Sequence, residues 1–100
     1  MTEHDIQNNI RVELSKLGYT VFRINVGKFK MDDGRWFSTG VPPGFSDTFC
    51  VKNGMVSFIE IKSSTGKATK EQLNFIAQMQ KQGCKAGVAR SVEDVLKILE

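Results

Sequence analysis

One hundred residues, 40% of them hydrophobic and 25% charged, suit a single globular domain (residues 1–100) with a modest core. The balance is basic, with a net charge of +3 and a pI near 9.0, which favours a polyanionic partner. No apolar run approaches the ~20 residues of a membrane span, Cys50 and Cys84 have neither CxxC nor zinc spacing, and His4 alone offers Ser-His or Cys-His chemistry only from a fraying N-terminus.

Thr2 is placed to cap a helix running to about Leu17, because Ile6, Ile10, Leu14 and Leu17 recur at helical spacing and Gly18 is a natural stop. Glu3 falls in the first turn of that apolar face. It either complements the helix dipole or points toward an acid site elsewhere. Tyr19 to Asn25 alternates as a strand, with Arg23 and Asn25 polar near its end, either solvated or supporting a site.

Residues 26 to 46 are irregular and punctuated by glycine. Asp33-Gly34, between Phe29-Lys30-Met31 and Arg35-Trp36-Phe37, predicts a small extra hairpin. Lys28, Lys30 and Arg35 interleave there with Phe29, Trp36 and Phe37. Basic groups neutralise phosphates and aromatic faces stack on unpaired bases. The alternative is that the aromatics pack over the core or against a second subunit.

Pro42-Pro43-Gly44 ends this stretch, and Asn53-Gly54 then separates two strand-like runs, the strongest short-range hairpin signal. A two-residue type I′ loop sets Lys52 opposite Met55, Val51 opposite Val56, Phe49 opposite Phe58 and Asp47 opposite Glu60. Directly opposed residues have Cβ atoms about 4.5–5.5 Å apart, and alternation puts Lys62 on the same face as Glu60. Flanking Phe58, Ile59 and Ile61 suggest that Glu60 sits on a strand buried on both faces, where a charge is costly unless paired or metal-bound. An edge salt bridge from Glu60 to Lys62 is one explanation. A divalent cation shared by Asp47 and Glu60 satisfies both acids, since Mg²⁺ binds one or two carboxylates and keeps several waters.

Ser63-Ser64-Thr65-Gly66-Lys67 is a polar loop without P-loop order. Thr69-Lys70-Glu71-Gln72 opens a helix as a capping box, with Leu73, Ile76 and Met79 inward and Gly83 as its end. Gln72 either only closes that box or orients Lys62 or a water. Lys67 and Lys70 are candidates for a phosphate backbone. Cys84 to Ala89 is a further strand, and Ser91 caps a last helix with Val92, Val95, Leu96 and Leu99 inward. Both cysteines are expected as buried thiols in a reducing compartment.

Gly44-Phe45-Ser46-Asp47, the hairpin, Ile59-Glu60-Ile61-Lys62 and then Gln72 resemble the virus-type replication-repair nuclease (VRR-NUC) domain, a compact branch of the PD-(D/E)xK nuclease superfamily. The likeness covers almost the whole chain, and Ser46 stands where the superfamily name has proline. It implies an α/β restriction-endonuclease-like core in the order α-β-β-β-α-β(-α), with a mixed four-stranded sheet flanked by helices. It implies a DNA endonuclease using Mg²⁺ or Mn²⁺. Asp47 and Glu60 would hold the metal with the Ile61 carbonyl and with Glu3, directly or through water. Lys62 would position the attacking water, and Arg23 and Asn25 would support substrate or site. Small stand-alone members look like homodimers acting on branched DNA such as four-way junctions, in the cytoplasm of a bacterial or phage-infected cell. A flap- or nick-directed nuclease would use the same site on another substrate. A non-catalytic nucleic-acid-binding module would have no need of the opposed acids.

Overall fold

Glycines and capping residues cut the chain into three helices and six strands, in a computed structural model that describes residues 1–100. Helix α1 spans Glu3–Lys16. Its capping box is reciprocal: the Asp5 N–H donates to Thr2 Oγ1 at 3.1 Å and the Thr2 N–H donates to Asp5 Oδ2 at 3.0 Å. Ile6, Ile10 and Leu14 are buried. Leu17, expected as the fourth member of that stripe, is exposed because it is the C-cap, where the chain swings away through Gly18.

Strand β1 (Thr20–Arg23) comes next, then β2 (Lys28–Lys30), β3 (Trp36–Ser38), β4 (Thr48–Lys52) and β5 (Met55–Ile61). Helix α2 (Lys70–Lys81), strand β6 (Lys85–Ala89) and helix α3 (Val92–Leu99) complete the chain. The main sheet is four-stranded in the order β1-β4-β5-β6. It is mixed: β1–β4 and β4–β5 are antiparallel, and β5–β6 is parallel. Helices α1 and α3 lie on one face and α2 on the other. The expected class and element order are therefore those of the molecule, with β2 and β3 forming a separate two-stranded sheet. No helix is long and apolar enough to cross a membrane.

The β4–β5 register is the one dictated by Asn53-Gly54, with Lys52 paired to Met55, Val51 to Val56 and Phe49 to Phe58. Both turn residues have positive φ, +54° and +78°, as a type I′ turn requires. Strand β5 is buried on both faces. Ile59 and Ile61 join Ile6, Ile10, Leu14, Cys50, Ala89 and Val95 in one core cluster. Phe58 points the other way, to Ile76 and Ala86, with Phe45, Phe49 and Phe75 packed alongside.

Leu73 and Leu96, both expected inward, are exposed. Helix α2 meets the sheet through Phe75, Ile76 and Met79, and α3 through Val92, Val95, Ile98 and Leu99. Each helix is rotated so that Leu73 in α2 and Leu96 in α3 fall on the flank of the buried stripe.

Two junctions anchor the irregular stretch between β1 and β4. Gly44 sits at φ +95°, and a Cβ there would lie 2.7 Å from the Glu71 carbonyl oxygen, so the Pro-Pro-Gly turn rests directly on the first turn of α2. The β2–β3 hairpin closes at its base through Gly27 N–H to Val41 O and Thr39 N–H to Gly27 O, both 2.9 Å.

Candidate active site

The β4–β5 hairpin carries three charged side chains on one face. Asp47 lies one residue before β4, a single step beyond the Thr48–Ile59 pair, which sets it opposite Glu60. Its carbonyl accepts from the Ile24 N–H at 2.9 Å, tying the position to the end of β1. Ser46, fully buried, donates its hydroxyl to the Thr48 carbonyl at 3.0 Å and so fixes the bend that presents Asp47. On β5, Glu60 shares a face with Phe58 and is only 2% exposed. The Lys62 N–H donates to the Ala89 carbonyl at 3.0 Å, holding that residue beside β6. Lys62 Nζ stands 3.9 Å from Glu60 Oε2, close enough for charge attraction and too far for a hydrogen bond.

This placement is electrostatically unfavourable for the acids. Burial, then the Asp47 charge, push the Glu60 carboxyl up to about 7, against the pull of Lys62. Burial likewise raises Asp47, opposed by the Thr48 hydroxyl, the Ile61 N–H and the charge of Arg23. Glu3 adds its negative charge to both from the first turn of α1. Asp47 Oδ1 and Glu60 Oε1 are buried with no hydrogen-bond partner, a state that normally costs stability. Two adjacent carboxylates, each with an unsatisfied oxygen, suit a hard oxygen-seeking cation. No group of three or more His, Cys, Asp or Glu side chains is gathered for a metal. Glu3 is therefore felt at the site as a charge without completing a three-carboxylate cluster.

The remaining candidates are distributed around this pair. Gln72 closes the α2 capping box: its Oε1 accepts from the Thr69 N–H at 2.9 Å and its own N–H donates to Thr69 Oγ1 at 3.1 Å. No hydrogen bond joins it to Asp47, Glu60 or Lys62. Arg23 at the end of β1 and Asn25 two residues beyond it are exposed, with Arg23 near enough to act on Asp47. Lys67 and Lys70 are exposed beside the start of α2. Lys28 and Lys30 are exposed on β2. Arg35 is held by Asp33, with Nε donating to Oδ2 at 2.7 Å. The aromatics of this hairpin do not fold back over the core: Phe29, Trp36 and Phe37 are all exposed.

Two features of the site lie outside the residues singled out by sequence. Arg90 donates its guanidinium to the carbonyls of Ser63 and Gly66 and so pins the loop that leaves Lys62; only its place at the end of the strand parallel to β5 hints at this. A groove of about 100 Å³ between α1 and the sheet, with neither acid in its wall, is lined by His4, Gln7, Asn8 and Arg11 together with Thr48 and the already noted Arg23, among others. His4, Asn8 and Arg11 recur at helical spacing, which is a legible signal.

The model of the VRR-NUC domain family matches residues 1–93. A solved structure described as a VRR-NUC domain superposes with a TM-score of 0.68 at 22% identity, covering 99% of this chain and 96% of that one. No curated protein matches the chain.

Proposed function

The chain belongs to the VRR-NUC domain family, which gives it a nuclease-type function in DNA replication and repair, and on that premise we propose that it is a Mg²⁺- or Mn²⁺-dependent DNA endonuclease. The observation that carries the reading is the pair of buried, opposed acids, each with an unpartnered oxygen, beside a lysine. In this reading Asp47, Glu60 and the Ile61 carbonyl would hold the cation, and Glu3 would contribute charge or a water-mediated contact. When bound, such an ion acidifies water and offsets charge on a phosphate.

The protein's own side chains do the rest. Lys62 Nζ, not committed to a hydrogen bond with Glu60, donates to the attacking water and to a non-bridging phosphate oxygen as charge develops there. Asp47 and Glu60 are held by strand pairing and by the Ser46 bend, so the site needs little reorganisation on binding substrate. Arg23 and Asn25 on one side and Lys67 and Lys70 on the other provide phosphate contacts. Gln72 serves the site by fixing the start of α2, against which the Pro-Pro-Gly turn rests.

The proposed substrate is branched DNA such as a four-way junction, cut by a homodimer whose two-fold axis presents one site to each of two strands. The apolar face of the β2–β3 hairpin, with Phe29 and Phe37 in contact at 5.1 Å between ring centroids, is the proposed subunit contact. The proposed location is the cytoplasm of a bacterial or phage-infected cell. Purified protein tested on matched junction, flap, nicked and linear duplex DNA, with Mg²⁺ or Mn²⁺ and with EDTA, decides the matter. Junction cleavage that EDTA stops is expected. A preference for flap or nick moves the substrate while keeping the site, and no metal-dependent cleavage of any form overturns the reading.

A further inference from the structure

Strand pairing divides the β2–β3 hairpin into two unlike faces. Phe29 is paired with Phe37, and both point to one side. Lys30 is paired with Trp36 and Lys28 with Ser38, so two lysines and the indole share the opposite side. Trp36 is 69% exposed. With Phe29, Met31 and Phe37 also exposed, the indole belongs to an exposed apolar cluster on one small hairpin, the kind of patch that marks an interaction site. Here it is flanked by cations that form no salt bridge, whereas Arg35 is already taken by Asp33. An apolar partner would leave both lysines facing it unpaired. A partner with negative charge and flat π surfaces satisfies all three.

We propose that the Lys28–Lys30–Trp36 face is a base-stacking site for an unpaired stretch of DNA, such as the open centre of a junction or a displaced strand. Trp36 takes an unstacked base on its face, and Lys28 and Lys30 neutralise the adjoining phosphates. Duplex DNA hides its base faces and offers this surface only phosphates, so the site discriminates distorted from regular DNA. The proposal rests on the nuclease reading only in taking DNA as the polyanion; the acid pair takes no part in it.

Trp36 is the sole tryptophan, so intrinsic tryptophan fluorescence reports this position alone. The test titrates the full chain in EDTA with a thymidine oligonucleotide and, separately, with a blunt duplex. Saturable quenching by the single strand, little by the duplex, is expected. Trp36→Ala, followed by anisotropy of labelled oligonucleotide, should weaken single-strand binding by about tenfold or more, and Trp36→Phe should restore most of it. The Lys28→Ala, Lys30→Ala double variant should reduce the slope of log affinity against log salt by about 1.4. Unquenched Trp36 with single-strand affinity unchanged by Trp36→Ala overturns the proposal. So does a dimer dissociation constant raised by Trp36→Ala in the absence of DNA, which assigns the face to a second copy. A cleavage assay on the same samples separates the two readings. Cutting without quenching sinks only the stacking site, and quenching without metal-dependent cutting sinks only the nuclease mechanism.

Discussion

Asp47 and Glu60 oppose each other at the mouth of the β4–β5 hairpin, each with one buried carboxylate oxygen that nothing in the chain satisfies. The fold holds the pair at a cost to the metal-free protein, and that cost is measurable.

Replacing either acid by its amide removes like-charge repulsion without removing volume. Asp47→Asn and Glu60→Gln should therefore melt higher than wild type in EDTA, by a margin of order 1 kcal/mol. Mg²⁺ or Mn²⁺ at about 100 times its dissociation constant should stabilise wild type by about 2.7 kcal/mol and the amide variants far less. Thermal melts in EDTA and in millimolar metal check this. Variants that melt lower than wild type in EDTA yet respond equally to metal would show that the acids share no site.

The same pair sets a pH dependence. Glu60 takes up its proton at about 7 in the folded protein, against an ordinary value of 4.5. The folded state binds that proton more tightly than the unfolded chain does. Its contribution is thus fully present below the unfolded value and lost as the pH rises through 7. Asp47 shifts in the same direction. Metal-free wild type should lose on the order of 3 kcal/mol between about pH 4.5 and pH 8, and Glu60→Gln should lose much less. Urea titrations at both ends of that window in EDTA measure it; a wild type that gains stability across the window contradicts the assignment.

Cleavage should fall by about 100-fold or more in each of Asp47→Ala, Glu60→Ala and Lys62→Ala, with DNA affinity within severalfold of wild type. Initial rates on a labelled junction, paired with gel-shift affinities in EDTA, separate chemistry from binding. Undiminished turnover in any purified variant removes that residue from the mechanism.

Gly44 lies far from the reacting groups in chemistry but close in construction. A side chain there meets both the positive φ and the Glu71 carbonyl. Gly44→Ala should destabilise by roughly 2 kcal/mol or more and should slow cleavage beyond what partial unfolding explains, because the bend three residues later presents Asp47. Activity corrected for the folded fraction is the readout, and a corrected rate equal to wild type refutes the linkage.

The two faces of the β2–β3 hairpin should separate genetically. Phe29→Ser and Phe37→Ser should raise the dimer dissociation constant at least tenfold, about 1.4 kcal/mol, whereas Trp36→Ala should leave it unchanged. Light scattering across a dilution series distinguishes these. A one-chain mass at micromolar wild-type concentration rules out the dimer.

The Asn53-Gly54 turn made the site legible, since a type I′ loop admits one register and that register alone puts Asp47 across from Glu60. Capping residues were equally informative: Thr2, Thr69 and Ser91 each begin the helix they were expected to begin. Helix rotation was not. Leu73 and Leu96 belong to apolar patterns that fit more than one orientation, and the sheet beneath chooses among them. Gln72 shows a second limit. A glutamine three residues after a threonine predicts the capping box that Gln72 closes through its Oε1 and backbone N–H, but that spacing carries no signal for or against a supporting role near the acids. Arg90 shows a third, because a long-range contact to Ser63 and Gly66 has no local signature.

The closed base of the β2–β3 hairpin, where Gly27 bonds to Thr39 and Val41, brings the two ends of an eleven-residue excursion together (28–38). To the main sheet, everything beyond that clasp is a single point of attachment. The excursion can be lengthened, shortened or rewritten beyond Gly27 and Thr39 without moving Asp47, Glu60 or Lys62. On the proposed reading, the surface that would grip DNA and the groups that would cut it are therefore mechanically separate parts of one short chain.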